Sequence, residues 1–407
     1  MESFNLRQGE LLRQVLLRFS EDAVGVREDI SAIAHTPDGN LWLASDELTT
    51  IERLSPVSPR EYSHHQQFAV GDYIDLQDTQ SEIDIEGMDF ANGYLWLVGS
   101  HSTKRKRPKG KNAHKDIQRL LEITTDLNRY LLARIPLVDG KPVAQDPCSG
   151  RFSASLHQPR AEQSQLTEAL LADEHIGPFL HMRLPSKDNG FDIEALAVRE
   201  SNVAANSDEP TRTHLFLGLR GPVLRGMAII LEIEVVACEK TGLRLAPIKT
   251  KSEKTKSEKT KSEKNRLYRK HFVDLNGLGI RDLCFQGEDL IILAGPTMQL
   301  SSMMQVFRWK GAITHPLDTL EDMPDDTLWL QSSDVLTKQF DLPWIVGADN
   351  AEGLSLLPSE VNASKSELMM PELMMSELMV VYDSPSERRL LQAGAIWADI
   401  CYLSGEV

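Results

Sequence analysis

Residues 84–102 read DIEGMDFANGYLWLVGSHS, and this stretch decides the fold. An acidic start at Asp84 and Glu86 leads into a short apolar run. Asn92-Gly93 marks a turn, and YLWLV is a second, more apolar run that ends in small and polar residues. Asn-Gly between two runs of strand formers signals a β-hairpin, because both residues tolerate the positive φ of a tight two-residue turn. The unit returns four more times. Asp29–Ser45 reads DISAIAHTPDGNLWLAS with Asp38-Gly39 at its turn, and GFDIEALAV from Gly190 is completed after a polar insertion by THLFLGLRGP, ending at Pro222. GIRDLCFQGEDLIILAGP covers Gly279–Pro296, and NAEGLSLLP from Asn350 resumes as ELMVVYDSP around Val380.

One hairpin has too little surface to close a core, so the copies must pack on one another. The expected fold class is therefore all-β, a β-propeller whose blades cover each other's faces and expose little sheet edge. Five to seven blades are expected, with six favoured. The unit starts at Asp29, Asp84, Asp192, Gly279 and Asn350 leave one gap of 108 residues, wide enough to conceal a degenerate sixth blade. LLRQVLLRF from Leu11 and AGAIWADICYL, which ends at Leu403, both read as strands and are expected to pair and seal the ring. Residues 1–407 read as one propeller domain, with insertions near 103–115, 145–180, 249–265 and 362–380.

The insertions differ in character. Ala161–Gly177 places Leu166, Leu170 and Leu171 on one stripe, which predicts a short amphipathic helix ending at Gly177. TKSEK, repeated three times over Thr250–Lys264, has no apolar residue to bury, and SELMM-PELMM-SELMV over Ser366–Val380 reads as an expanded low-complexity loop.

Composition sets outer limits. The chain has 407 residues, 41% of them hydrophobic, enough for a sizeable core, and no window approaches the roughly 18 apolar residues of a membrane span. A net charge of −16 argues against wrapping nucleic acid. Cys148, Cys238, Cys284 and Cys401 are too dispersed for a zinc or dithiol motif and are expected to be reduced and buried. The N-terminal residues do not read as a secretory signal, so a cytoplasmic location is expected.

Aligning the five units places Ser31, Glu86, Glu194, Arg281 and Glu352 at one equivalent position. In a radial arrangement these residues form a ring. Three glutamates in a confined channel repel one another unless a cation or Arg281 compensates, so Glu86, Glu194 and Glu352 are candidate ligands for a hard ion, Ca2+ or Mg2+. Strand ends return beside strand starts, which brings Glu47 near Ser31, His101 near Glu86 and Arg220 near Glu194. His101, Glu86 and Glu47 are the candidate catalytic groups, with His101 as a general base if a carboxylate fixes its tautomer. Immediately downstream, TKRKRPKGK sets Lys104, Arg105, Lys106 and Arg107 in a row, a basic segment able to arch over the rim and draw in an anion. Arg105 and Arg107, with Arg220 and Arg281, are the candidate ligand-binding residues.

Several of these motifs carry a family resemblance. DIEGMDFANGYLWLVGSHS, GFDIEALAV, LFLGLRGPVLRGMA, GIRDLCF and NAEGLSL, in this order, resemble the bacterial DUF3616 family over roughly Asp29–Ala398. The Glu-Gly pairs at Glu86 and Glu352 are also distantly similar to the Asp-x-Glu-Gly strand starts of esterase-like phytase domains, predicted propellers. This chain departs from that pattern at Ser31, Ala195 and Arg281. The resemblance implies a propeller without an established activity. The expected function is binding of a small anionic ligand in the central cleft, or metal-assisted hydrolysis of a phosphoester there. The alternative is a non-enzymatic scaffold for a protein partner.

Overall fold

The computed structural model describes residues 9–404 apart from 80, 200–211, 239–241, 249–265, 299–302, 313–325, 333, 344, 346, 359–374 and 392–393. The TKSEK repeats lie outside the described residues.

Five antiparallel blades make a ring. Their inner strands are Ile30–His35, Ile85–Ala91, Asp192–Arg199, Gly279–Gln286 and Asn350–Leu356, for blades I to V. Each inner strand packs beside that of the next blade, and blade V returns to blade I. Among the described residues the count is thus five, within the expected five to seven, of which six is favoured. The 108-residue gap holds the outer part of blade II and its insertions, including a two-stranded ribbon, Lys104–Arg105 with Ile123–Thr124, and the helix Ala113–Leu121.

Sequence dictates the ring through burial on both strand faces. Trp42, Ile51, Ile85, Leu95 and Leu97 fill the seam between blades I and II, and Phe216, Ile230, Leu283, Ile292 and Trp309 that between III and IV. The hairpin of blade II turns at Asn92 (φ 54°) and Gly93 (φ 79°), with Ala91 paired to Tyr94, as the Asn-Gly signal predicts. Closure follows the expected pairing: Leu11–Arg18 runs antiparallel to Ala395–Ser404 in blade V, from Leu11 opposite Cys401 to Arg18 opposite Ala395. Leu16 and Leu17 also pair with Glu61 and Tyr62 of blade I.

Three local expectations change. The predicted helix is shorter, Gln165–Leu170, because Ser164 caps it by accepting from the Thr167 amide; Gly177 begins a second turn, Gly177–His181, instead of ending the first. Of the pentad repeats, residues 366–374 lie outside the described residues, and the last pentad, Ser376–Val380, belongs to the strand expected around Val380 and not to the insertion. It lies in the strand Met375–Asp383, with Leu378, Met379 and Val380 buried. Among the cysteines Cys401 is buried, Cys238 and Cys284 are half-buried and Cys148 is exposed; all four are free thiols.

Candidate functional site

Every inner strand carries a one-residue bulge near its start. In blade II Ile85 pairs with Gly99 and Gly87 with Val98, so Glu86 is skipped. The same slip skips Ser31, Glu194, Arg281 and Glu352 in the other four blades. A bulge leaves its extra residue outside the ladder and re-aims its side chain. These are the five positions that the sequence units align, and all five line one cavity of about 400 Å³. Strict alternation is therefore not what presents them. The bulge does so, five times.

Ion pairs divide the cavity. Arg220 forms ion pairs with Asp192 and Glu194, each at 2.5 Å, and Arg281 forms an ion pair with Glu194 (Oε2, 2.8 Å) and donates to both oxygens of Glu352. Arg281 thus supplies the compensation that a ring of glutamates needs. It also corrects the expected metal set, because the oxygens of Glu194 and Glu352 are taken by guanidinium groups. Ser31 serves as a tie, its hydroxyl donating to the Ile85 carbonyl of the next blade at 2.5 Å.

Across the cavity the carboxylates are less well compensated. One ligand atom each from Asp46, Asp84 and Glu86 lie within 4.8 Å of one another. Asp84 is held by Arg129 at 2.7 Å, which leaves its other oxygen buried without a hydrogen bond. No described residue forms an ion pair or hydrogen bond with the side chain of Glu86 or Asp46. Burial pushes the Glu86 carboxyl well above its usual range, and Glu194, Asp84, Asp46 and Asp192 add to the shift. Asp46 is pushed up to about 7, first by burial and then by Asp84, Asp383, Asp29 and Glu47. Asp29 is raised to about 6, again chiefly by burial. Three oxygen donors this close suit a hard divalent cation, and fully ionised they would otherwise repel.

The rim is basic. Lys104, Arg105, Lys106 and Arg107 line the cavity together with Lys187, as an arching segment would. Arg105 is tied to Asp188 at 2.8 Å, and Lys104 bridges Glu82 and Asp126, each at 2.6 Å.

Two expected catalytic residues lie elsewhere. His101 is buried with φ 54°, its Nδ1 bonded to the Gly99 carbonyl at 2.9 Å and its ring edge-on to Tyr130. It lines a separate 140 Å³ pocket with Thr167 and Phe191, and burial lowers its pKa to about 4. The left-handed backbone turns it out of the cavity, so it does not face Glu86 as a general base. Glu47 is exposed and outside the lining, and its neighbour Asp46 occupies the place expected for it. Four further lining residues are not among the expected site residues: Asp29 and Asp84 start their units two residues before the aligned positions, Asp383 ends the second strand of blade V, and Arg129 lies in the turn before the strand Leu132–Val138.

Blade-to-blade ties fall to other carboxylates. Asp282 accepts from its own neighbour Leu283 and from Leu354 of blade V at 2.7 Å, and Asp89 accepts from Val198 of blade III at 2.7 Å.

No curated protein matches this chain. Among solved structures it is similar to a streptogramin B lyase (8% identity, 97% of this chain and 99% of that chain, TM-score 0.33). It is also similar to virginiamycin B lyase from Staphylococcus aureus (6%, 96% and 99%, 0.33) and to YCF48 bound to D1 peptide (7%, 98% and 98%, 0.30). Likenesses this weak carry no argument about function. One family model, described as "Protein of unknown function (DUF3616)", spans residues 29–399, which include all five bulged strands. The chain belongs to the DUF3616 family.

Proposed function

We propose that the cavity binds a small anionic ester, with a divalent cation on Asp46, Asp84 and Glu86, and that hydrolysis of a phosphoester is the reaction it suits best. The observation that carries this reading is the juxtaposition of three close carboxylates, two of them without a partner, with a rim of Lys104, Arg105, Lys106 and Arg107. When bound, Ca2+ or Mg2+ would supply Lewis acidity toward a phosphoryl oxygen and a more acidic water. The chain's own groups account for the remainder. Arg105 and Arg107 neutralise and orient the anion, and the carboxyl of Asp46, pushed up to about 7 in the cation-free site, would release its proton as the cation binds. Arg220 and Arg281 hold Glu194 and Glu352 in place and, in this reading, serve the ligand through the shape and charge of the cavity wall. The protein would act on this ligand in the cytoplasm. Among the described residues no helix is long and apolar enough to cross a membrane.

The test is calorimetric titration with calcium and magnesium, followed by a phosphoester panel with and without chelator. Cation binding that Glu86→Gln removes, with chelator-sensitive turnover, supports the reading. Failure to bind either ion overturns it. Binding without turnover would leave an anion-binding site and remove the hydrolysis.

A further inference from the structure

The basic segment does more than line the cavity. Lys104–Glu122 carries eight Lys or Arg against Asp116 and Glu122, a net of +6 in a chain of −16. Several of these charges are engaged: Lys104 with Glu82 and Asp126, Arg105 with Asp188, Lys106 with Glu122. Arg107, Lys109, Lys111 and Lys115 are exposed and form no ion pair among the described residues. Two features hold the excursion in shape. Asp116 accepts from the Lys109 and Gly110 amides, at 2.8 and 2.9 Å, and Asn112 caps the helix Ala113–Leu121.

That helix buries none of its residues. Ile117, Leu120 and Leu121 fall at i, i+3 and i+4, which puts them on one face, and they remain 59%, 45% and 70% exposed. Lys115 lies on the opposite side of the helix. An apolar stripe left in water beside a dense set of free cations is the pattern of a helix that lies in a membrane interface, its apolar side among acyl chains and its lysines at anionic headgroups. The rest of the chain is acidic, so a negatively charged surface would repel the body of the protein and attract this segment alone.

We infer that Lys106–Leu121 docks the protein on an anionic lipid surface, with Ile117 and Leu121 inserted and Arg107, Lys109, Lys111 and Lys115 against the headgroups. Docking through this segment brings the cavity mouth, which Arg105, Lys106, Arg107 and Leu120 line, next to the membrane. The inference does not depend on cation binding or turnover in the cavity.

Sedimentation of the purified chain with sonicated vesicles tests it. Binding is expected to vesicles of phosphatidylcholine with phosphatidylglycerol, to be absent with phosphatidylcholine alone, and to weaken as salt screens the headgroups. Ile117→Ser with Leu121→Ser should lower the affinity at least tenfold. Lys109→Gln with Lys111→Gln should lower it about fivefold for each charge removed. All four positions are exposed and outside the cavity lining, so melting temperature and cation binding should stay at the parent values. Vesicle binding unchanged in the serine double variant, equal binding to neutral vesicles, or no binding to either composition would each overturn the inference.

Discussion

Asp46→Asn should stabilise the cation-free protein above neutral pH while leaving it unchanged in mild acid. The Asp46 carboxyl titrates near 7 in the folded chain against an ordinary value of 3.8, mainly because it is buried and then because Asp84, Asp383, Asp29 and Glu47 surround it. Below about pH 4 the group is protonated in both the folded and unfolded chain, and its titration makes no difference to stability. Between about pH 4 and 7 the folded protein keeps a proton that the unfolded chain has released, so stability falls as pH rises; above about 7 the loss is complete. A shift of about three pH units corresponds to at most about 4 kcal/mol, and the partial exposure of Asp46 reduces this to about 2 kcal/mol. Asparagine keeps the shape and cannot ionise, so it escapes this loss. Urea unfolding with chelator present should show parent and variant equal near pH 4 and the variant ahead by about 2 kcal/mol near pH 8. Saturating calcium should reverse the order, because only the parent offers the ion three anionic ligands. A difference that does not widen with pH, or a variant weaker near pH 8, would refute the idea that Asp46 is held against its preferred ionisation.

Arg281→Met strands Glu352 as a buried carboxylate and leaves Glu194 to Arg220 alone, and should cost about 3–5 kcal/mol in urea unfolding, part of which Glu352→Gln in the same chain should restore. Asp282→Ala leaves the amides of Leu283 and Leu354 without their acceptor and should cost about 3 kcal/mol by the same measurement. Leu17→Asp puts a charge in the seam between blades V and I and should cost about 4 kcal/mol or more, seen as a lower, broader calorimetric transition. His101→Gln should leave the pH profile of any phosphoester turnover unchanged, since the imidazole faces Tyr130 and not the cavity.

The ring was readable because its instructions are local and repeated. Asn92-Gly93 specifies its turn by backbone preference alone, and LWLAS and YLWLVGS are apolar on both faces because blades cover both. The aligned residues Ser31, Glu86, Glu194, Arg281 and Glu352 could be found without knowing that they are bulged, since each unit carries the same irregularity at the same place. Contacts that depend on a slip of one residue were not legible. Asp46 and Glu47 are adjacent and chemically alike, and only the end of the strand decides which enters the cavity. His101 is similar: the return of its strand end beside the start at Glu86 predicts its side, and a positive φ cancels the prediction. Whether Arg281 would neutralise Glu194 and Glu352, or a cation would, is a question of distances between blades, which no single unit encodes. The blade count is legible only as a range of five to seven for a related reason, because gap length does not separate a missing blade from a long excursion.

Closing blade V with Leu11–Arg18 imposes an order on biosynthesis. At the usual rates of translation, about 5–20 residues per second, roughly 20–80 s separate the emergence of that strand from that of its partner Ala395–Ser404. Throughout that interval Leu11–Arg18 lacks its antiparallel partner in blade V, and late in it the nascent chain holds four blades beside an open seam. Chaperone capture or premature pairing with a second nascent chain would act most strongly then, so a slowly translated message would lengthen the exposure of that seam.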